Sequence, residues 1–304
     1  MAYVSVVILN YNTRELLREA IASVYRQDTA HTVALYVVDN SSTDASADMV
    51  EREFPAACLI RAPRNGGFAW GNNLALSRIL ADSLSEEDTA RRYVMLLNPD
   101  AALESGALDR LVAFLENVPT AGAVGPRVLL PDGALDLACR RSFPTPEVSF
   151  YRMAGLSRLF PRSRRFGRYN LSFLDPMEQA DVDALTGAAM LVRESVVREV
   201  GLLDEAFFMY GEDLDWCYRI KSYGWRVVYY PEAVVQHHKR ASSTKRAIPS
   251  IRAFYDAMRV FHRKHYARHT PAPLNMLVEA GIALKETWAL AVNSVRPPER
   301  RRVG

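Results

Sequence analysis

No Cys-x-x-Cys pair occurs in this sequence, and its three cysteines, Cys58, Cys139 and Cys217, are far apart and odd in number. That spacing argues against a disulfide framework and a thiolate zinc site, and a reducing cytosol is the expected compartment. Neither the Gly-x-Gly-x-x-Gly fingerprint nor the P-loop pattern is present, which weakens a nicotinamide oxidoreductase or P-loop nucleotidase reading. Long apolar runs are also missing. Val4 to Leu9 is far too short to span a bilayer, and Asn275 to Val295 is interrupted by Glu279, Lys285, Glu286 and Asn293. The opening MAYVSVVILNYN lacks a basic segment and a small-residue cleavage site, so no signal peptide is expected.

What is there suits one large α/β domain with an appendage, or two modest domains: 304 residues, 49% of them hydrophobic. Charge is unevenly placed. Arg140 to Arg168 carries a net +7 and Lys239 to the end a net +10, within a chain of only +3. Such segregation suits an anionic partner, a phospholipid surface or a lipid pyrophosphate, although a solvated basic face gives the same pattern. Nucleic acid would need one basic groove with stacking aromatics, which the acidic remainder disfavours.

The first hundred residues alternate strand and helix patterns. Strands are expected at Ser5–Leu9, Ala34–Val38, Cys58–Ala62 and Tyr93–Leu97, with helices at Thr13–Tyr25, Ser46–Phe54 and Trp70–Leu80. The fold class that follows is α/β, with a mostly parallel, doubly wound sheet. Ligands of such sheets collect at the carboxyl ends of the strands. Those ends hold Asn10-Tyr11-Asn12, Asp39-Asn40-Ser41-Ser42, Asn65-Gly66-Gly67 and Asn98-Pro99-Asp100, all polar or glycine-rich. From Asp132 to Asp181 the periodicity is poor, as in a variable lobe or mobile loop. Regular structure is expected again at Asp183–Val192 (strand), Glu194–Val200 and Glu212–Tyr223 (helices), Arg226–Tyr230 (strand), and the tail helices Ile248–His265 and Leu274–Val295.

Several residues suit chemistry, each with a plainer alternative. Asp39 can accept hydrogen bonds from a base or ribose, or simply close a turn. Gly66 and Gly67 let backbone approach a ligand ahead of a helix N-terminus, or merely form a turn. Asp100, ending the apolar strand YVMLL, is placed to hold Mg²⁺ or Mn²⁺. His237 can complete that coordination, although adjacent histidines near a basic tail are usually solvated. In Gly211-Glu212-Asp213-Leu214-Asp215-Trp216, the helical period puts Glu212, Asp215 and Arg219 in one solvent sector and Asp213 on the apolar side with Cys217, Ile220 and Trp216. A carboxylate there needs a cavity, metal or substrate, and suits a general base.

Taken in order, VSVVILNYN, VVDNSSTD, RNGGFAWGNN, LLNPDA, LTGAAMLVR, LLDEAFFMYGEDLDWCYR and YYPEAVVQHH resemble the inverting glycosyltransferases of family 2. The resemblance covers roughly residues 3 to 240 and implies a GT-A fold. Its nucleotide-sugar half would be residues 1–100 and its acceptor half 101–240, with 241–304 a basic helical extension. By similarity, Asn10, Asn12, Asp39, Asn65, Gly66, Gly67, Phe68, Asn72, Asn98 and Gly187 bind the donor. Asp100 and His237 bind the metal, Asp213 is the base, and Glu212 and Trp216 bind the acceptor. The Asn-Pro-Asp and GEDLDWCYR versions most resemble bacterial dTDP-rhamnosyltransferases acting on saccharides or polyprenyl-diphosphate carriers in cell-surface polysaccharide synthesis. A UDP-hexose or UDP-galactofuranose donor, or a non-catalytic nucleotide-sugar binder, are the alternatives. Many relatives have Asp-x-Asp where this chain has Asn98-Pro99-Asp100, so either ion affinity is lower or the ion enters with the donor's diphosphate. The basic tail suggests that a cytoplasmic protein attaches peripherally to the anionic inner leaflet, where a lipid-linked acceptor would reside.

Overall fold

The computed structural model describes residues 1–82, 91–238 and 247–296. Its first half is the expected β/α alternation. Strands β1 (Tyr3–Asn10), β2 (Thr32–Asp39), β3 (Cys58–Arg61) and β4 (Arg92–Leu97) pair in parallel in the order β3-β2-β1-β4. The helices between them are α1 (Arg14–Tyr25), α2 (Ser46–Glu53) and α3 (Phe68–Asp82). The β-branched and leucine-rich runs of β1 and β4 are almost wholly buried, as a strand covered on both faces requires.

The second half of the sheet is mixed. Short strand β5 (Ala101–Leu103) follows the Asn98–Asp100 turn, then α4 (Ala107–Asn117) and β6 (Ala121–Leu129). Two short helices, α5 (Pro146–Met153) and α6 (Leu156–Leu159), stand in the lobe expected to be irregular, before β7 (Ala180–Asp181). Next come β8 (Ala189–Arg193), α7 (Glu194–Val200), α8 (Glu212–Ser222) and β9 (Arg226–His237). The sheet continues β4-β8-β6-β9-β5, with β8 antiparallel to both neighbours and β5 antiparallel to β9.

Two expectations are corrected. The strand expected at Asp183–Val192 begins only at Ala189, because Thr186–Ala188 forms a connection in which Ala188 C=O accepts from the Asn98 N–H at 2.9 Å. The strand expected to end at Tyr230 runs on to His237, shifting register beside Pro126 and Arg127 to pair with Val128 and Leu129.

Helices α9 (Ala247–His265) and α10 (Ala272–Val295) form a hairpin. The domain boundary expected at residue 240 lies outside the described residues. Helix α9 is no loose appendage, since Ala257 and Phe261 belong to the main core. Its end clamps α8. Lys264 and His265 each lie 2.7 Å from Asp215 Oδ1, and Arg219 Nε donates to Asp215 Oδ2 at 2.8 Å. Burial alone would raise the Asp215 carboxyl, but these three partners outweigh it and pull it down to about 2. Asp215→Asn leaves the Arg219 guanidinium without its carboxylate and Lys264 with Asp204 alone, and is expected to cost about 3 kcal/mol or more. A shift of the urea unfolding midpoint at unchanged slope checks this.

Candidate active site

The four strand ends and the α8 N-terminus meet on one side of the sheet through a continuous set of hydrogen bonds. At β1 and β2, Asn10 Nδ2 donates to Asp39 Oδ1 and to Ser42 Oγ, both at 3.1 Å, and Asp39 Oδ2 accepts from the Ser42 N–H at 2.9 Å. Asn12, in the left-handed region at φ 55°, accepts from the Thr43 N–H at 2.7 Å. Asp39 is therefore buried with both oxygens already engaged, and contact with a donor would use the lone pairs that remain.

The glycine loop is tied to this turn and to the approach to α8. Asn40 Nδ2 donates to Asn65 Oδ1 at 3.0 Å, and Asn65 Oδ1 also accepts from the Gly67 N–H. Gly67 has φ +91°, and a β-carbon there would stand 2.3 Å from the Phe208 carbonyl oxygen. The Phe68 N–H donates to that same oxygen at 2.7 Å, fixing the loop against residue 208. Asn72 is buried and donates to the Phe68 carbonyl one turn back, so it supports the loop from within the helix.

At the end of β4, the chain turns so that Ala101 pairs with His237 in the β5–β9 register. That register makes neighbours of residues 137 positions apart: His237 Nε2 lies 3.2 Å from Asp100 Oδ1. The other ring nitrogen, Nδ1, lies 3.1 Å from Asp136 Oδ2. Burial would push the imidazolium down, but the two carboxylates outweigh it and push it up to about 9. Sequence reasoning missed Asp136, which sits in an aperiodic loop with no local signal.

The α8 start differs from the helical-wheel expectation. Asp215 and Glu212 are the buried carboxylates, and Asp213 is the one partly open to solvent. The cause is α9, which covers the sector read as solvent. Asp213 is nonetheless well held. Its Oδ2 accepts from the Arg141 guanidinium at 2.7 Å and from the Gly187 N–H at 3.1 Å, and its Oδ1 from the Leu214 N–H at 2.7 Å. Arg141, also missed, is buried and enters through backbone pairing with Ala184. Burial and the adjacent Asp213 carboxylate push the Glu212 carboxyl up to about 8, and its Oε2 has no partner. Trp216 requires a further correction: its ring is in the core and its indole N–H donates to the Gly201 carbonyl at 2.9 Å, so it does not reach an acceptor.

Gly187 joins the parts. A β-carbon there would stand 3.3 Å from the Phe68 ring and 3.7 Å from the Asp213 β-carbon. The next residue, Ala188, accepts from Asn98. The Asn98–Asp100 turn, the glycine loop and the Asp213 carboxylate therefore share one short connection. A family model described as glycosyltransferase like family 2 matches residues 2–255. The chain belongs to that family.

Among curated relatives of this glycosyltransferase, an N-acetylglucosaminyl-diphospho-decaprenol L-rhamnosyltransferase of Mycobacterium tuberculosis is 28% identical over 300 residues, covering 98% of this chain and 96% of that protein. Rhamnosyltransferase WbbL of Escherichia coli is 28% identical over 178 residues, covering 57% and 61%. Among solved structures, a mannosyltransferase of Pyrobaculum calidifontis in complex with GDP-Man and Mn²⁺ superposes with TM-score 0.56 at 18% identity, covering 97% of this chain and 76% of that one. TarS of S. aureus in complex with UDP-GlcNAc gives 0.55 at 16% identity, covering 95% and 73%. These structural likenesses establish the fold, which is GT-A.

Proposed function

We propose that this glycosyltransferase moves L-rhamnose from dTDP-L-rhamnose to a hydroxyl of a sugar carried on polyprenyl diphosphate, with inversion at the anomeric carbon. The observation that carries the donor and acceptor is the nearly end-to-end match to the mycobacterial rhamnosyltransferase. In this reading Asp213 takes the proton of the acceptor hydroxyl as that oxygen attacks from the face opposite the nucleotide. Arg141 and the Gly187 N–H fix the orientation of the carboxylate, with lone-pair capacity left for the hydroxyl. Glu212, buried beside it, faces the acceptor side, and the loop from Asn65 to Phe68 closes on the nucleotide.

The residues at the end of β4 fit a divalent ion. Two neighbouring ligands of an octahedral ion with bonds of about 2.1 Å stand roughly 3.0 Å apart, and Asp100 Oδ1 and His237 Nε2 are separated by 3.2 Å. Asp136 on Nδ1 would orient the ring, as carboxylates do behind metal-bound histidines. Among the described residues no group of three or more His, Cys, Asp or Glu side chains forms a ready cage. The remaining positions then fall to water and the donor's phosphates, in keeping with the amide at Asn98. When bound, Mg²⁺ or Mn²⁺ supplies positive charge to the departing diphosphate.

A donor screen tests the reading. With N-acetylglucosaminyl-diphospho-polyprenol and Mg²⁺ or Mn²⁺, dTDP-L-rhamnose is expected to release nucleoside diphosphate at least about tenfold faster than UDP-hexoses or GDP-mannose, a difference of roughly 1.4 kcal/mol in transition-state binding. Faster turnover of another donor removes the rhamnosyl assignment. Donor binding with no turnover on any acceptor would make the chain a binder only.

A further inference from the structure

Helix α10 carries an outward face with no ionisable group. Residues exposed along Ala272–Val295 are Ala, Pro, Leu, Met, Thr, Trp, Ser and Val only. The large ones are conspicuously bare: Met276 is 73% exposed, Leu277 68%, Leu284 72% and Trp288 67%. The helix's three charged residues, Glu279, Lys285 and Glu286, are all turned at least partly inward. The two acids are neutralised there by α9, with Glu286 paired to Arg259 and Glu279 to Arg263. Over 24 residues this face is about 36 Å long, and soluble surfaces rarely leave such a strip uncovered.

The strip continues onto the arginine-rich lobe. A β-carbon at Gly281 would lie 3.3 Å from Met153 Cε, so α5 packs against α10. Phe150, 61% exposed, sits one turn from Met153 on the same face of α5. Beyond it, Leu159 and Phe160 are also exposed, and the stretch Arg152–Arg168 contains six arginines, all exposed, and no acid. Apolar side chains beside an excess of cations, with the exposed acid Glu147 of α5 already paired to Arg165, match a surface that offers both hydrocarbon and negative charge.

We propose that the outer face of α10, with Phe150 and the neighbouring arginines, is the surface by which the enzyme lies on an anionic lipid bilayer. It lies on the bilayer rather than across it, because no described helix is long and apolar enough to cross a membrane. A second copy of the chain is a poorer occupant. A two-fold contact brings like patches together, and would set one lobe's arginines near the other's. The bilayer neutralises them, and Trp288 suits the headgroup region. The proposal rests on the reading of the acceptor as lipid-linked.

Co-sedimentation of the full chain with vesicles, without donor or acceptor, tests it independently of the transfer reaction. The wild type is expected to bind phosphatidylglycerol-rich vesicles and to bind pure phosphatidylcholine vesicles much less. Leu284→Glu combined with Trp288→Glu is expected to weaken binding to the anionic vesicles at least about tenfold, with an unchanged melting temperature and unchanged donor affinity. Wild type that stays in the supernatant, or a double variant that sediments equally well, overturns the proposal. So does a wild-type dimer that ignores vesicles and becomes a monomer in the double variant, which would assign the face to a second copy.

Discussion

Asp213→Asn is expected to lower kcat by about 10²–10⁴-fold, the usual contribution of a positioned general base, while the KM for donor changes little. The amide keeps the size of the side chain and its oxygen can still accept from Arg141 and the Gly187 N–H, losing only the bond from the Leu214 N–H. What it loses is the ability to take a proton. The comparison with Glu212→Gln is informative, because Glu212 is the more buried of the two and its carboxyl is pushed up by burial and by Asp213. If Asp213→Asn turned over normally and Glu212→Gln did not, the base would be Glu212. Steady-state kinetics on the two variants, at saturating donor and varied pH, decides between them.

The second large effect is expected at Asp100. On the proposed metal role, Asp100→Ala would withdraw charge stabilisation worth several kcal/mol, or about 10²–10³-fold in kcat/KM. Activation by Mn²⁺ should shift to higher concentration at the same time, since only His237 remains. A linked measurement concerns protons. His237 is held protonated up to about pH 9 by Asp100 and Asp136, and an imidazole must give up its Nε2 proton to ligate an ion. Ion binding at pH 7 should therefore release a proton, and affinity should fall as pH drops below about 9. Calorimetry in buffers of different ionisation enthalpy reads the proton directly. A wild-type activity indifferent to chelators, together with an Asp100→Ala enzyme of full activity, would remove the ion from the mechanism.

The β/α half of the fold was legible because each element there buries its own periodic face. Helix α7 was read to its bounds and α1 to within one residue of its start, and the long apolar strands β1 and β4 to within two residues at each end. Residues 101–125 received no assignment although α4 displays Leu108, Leu111, Val112 and Leu115 at helical spacing. That signal was available. Strand β5 is different: three residues carry no period, and its existence depends on pairing with β9, a partner more than a hundred positions away.

The candidate site divides along the same line. Asp100 and His237 were singled out from residue type and strand-end position and lie adjacent, whereas Asp213 was singled out from a helical-wheel placement that the structure reverses. Asp136 and Arg141, the residues that hold them, lie in a stretch whose shape comes from long-range pairing such as Arg141 with Ala184. The wheel assignment of Asp215 to solvent failed for a related reason. A helical period sorts side chains within one helix, whereas the partner covering Asp215 is α9, fifty residues later.

Gly187 shows what that long-range assembly achieves. The Phe68 ring and the Asp213 β-carbon both approach the place where a side chain at this position would stand. The gap between the glycine loop and the start of α8 is thus set by a residue with no side chain, as a thin shim sets the gap between two plates. In the proposed reaction, a nucleotide that tightens the glycine loop would press through that contact toward Asp213, a mechanical route by which one substrate could be sensed by the other.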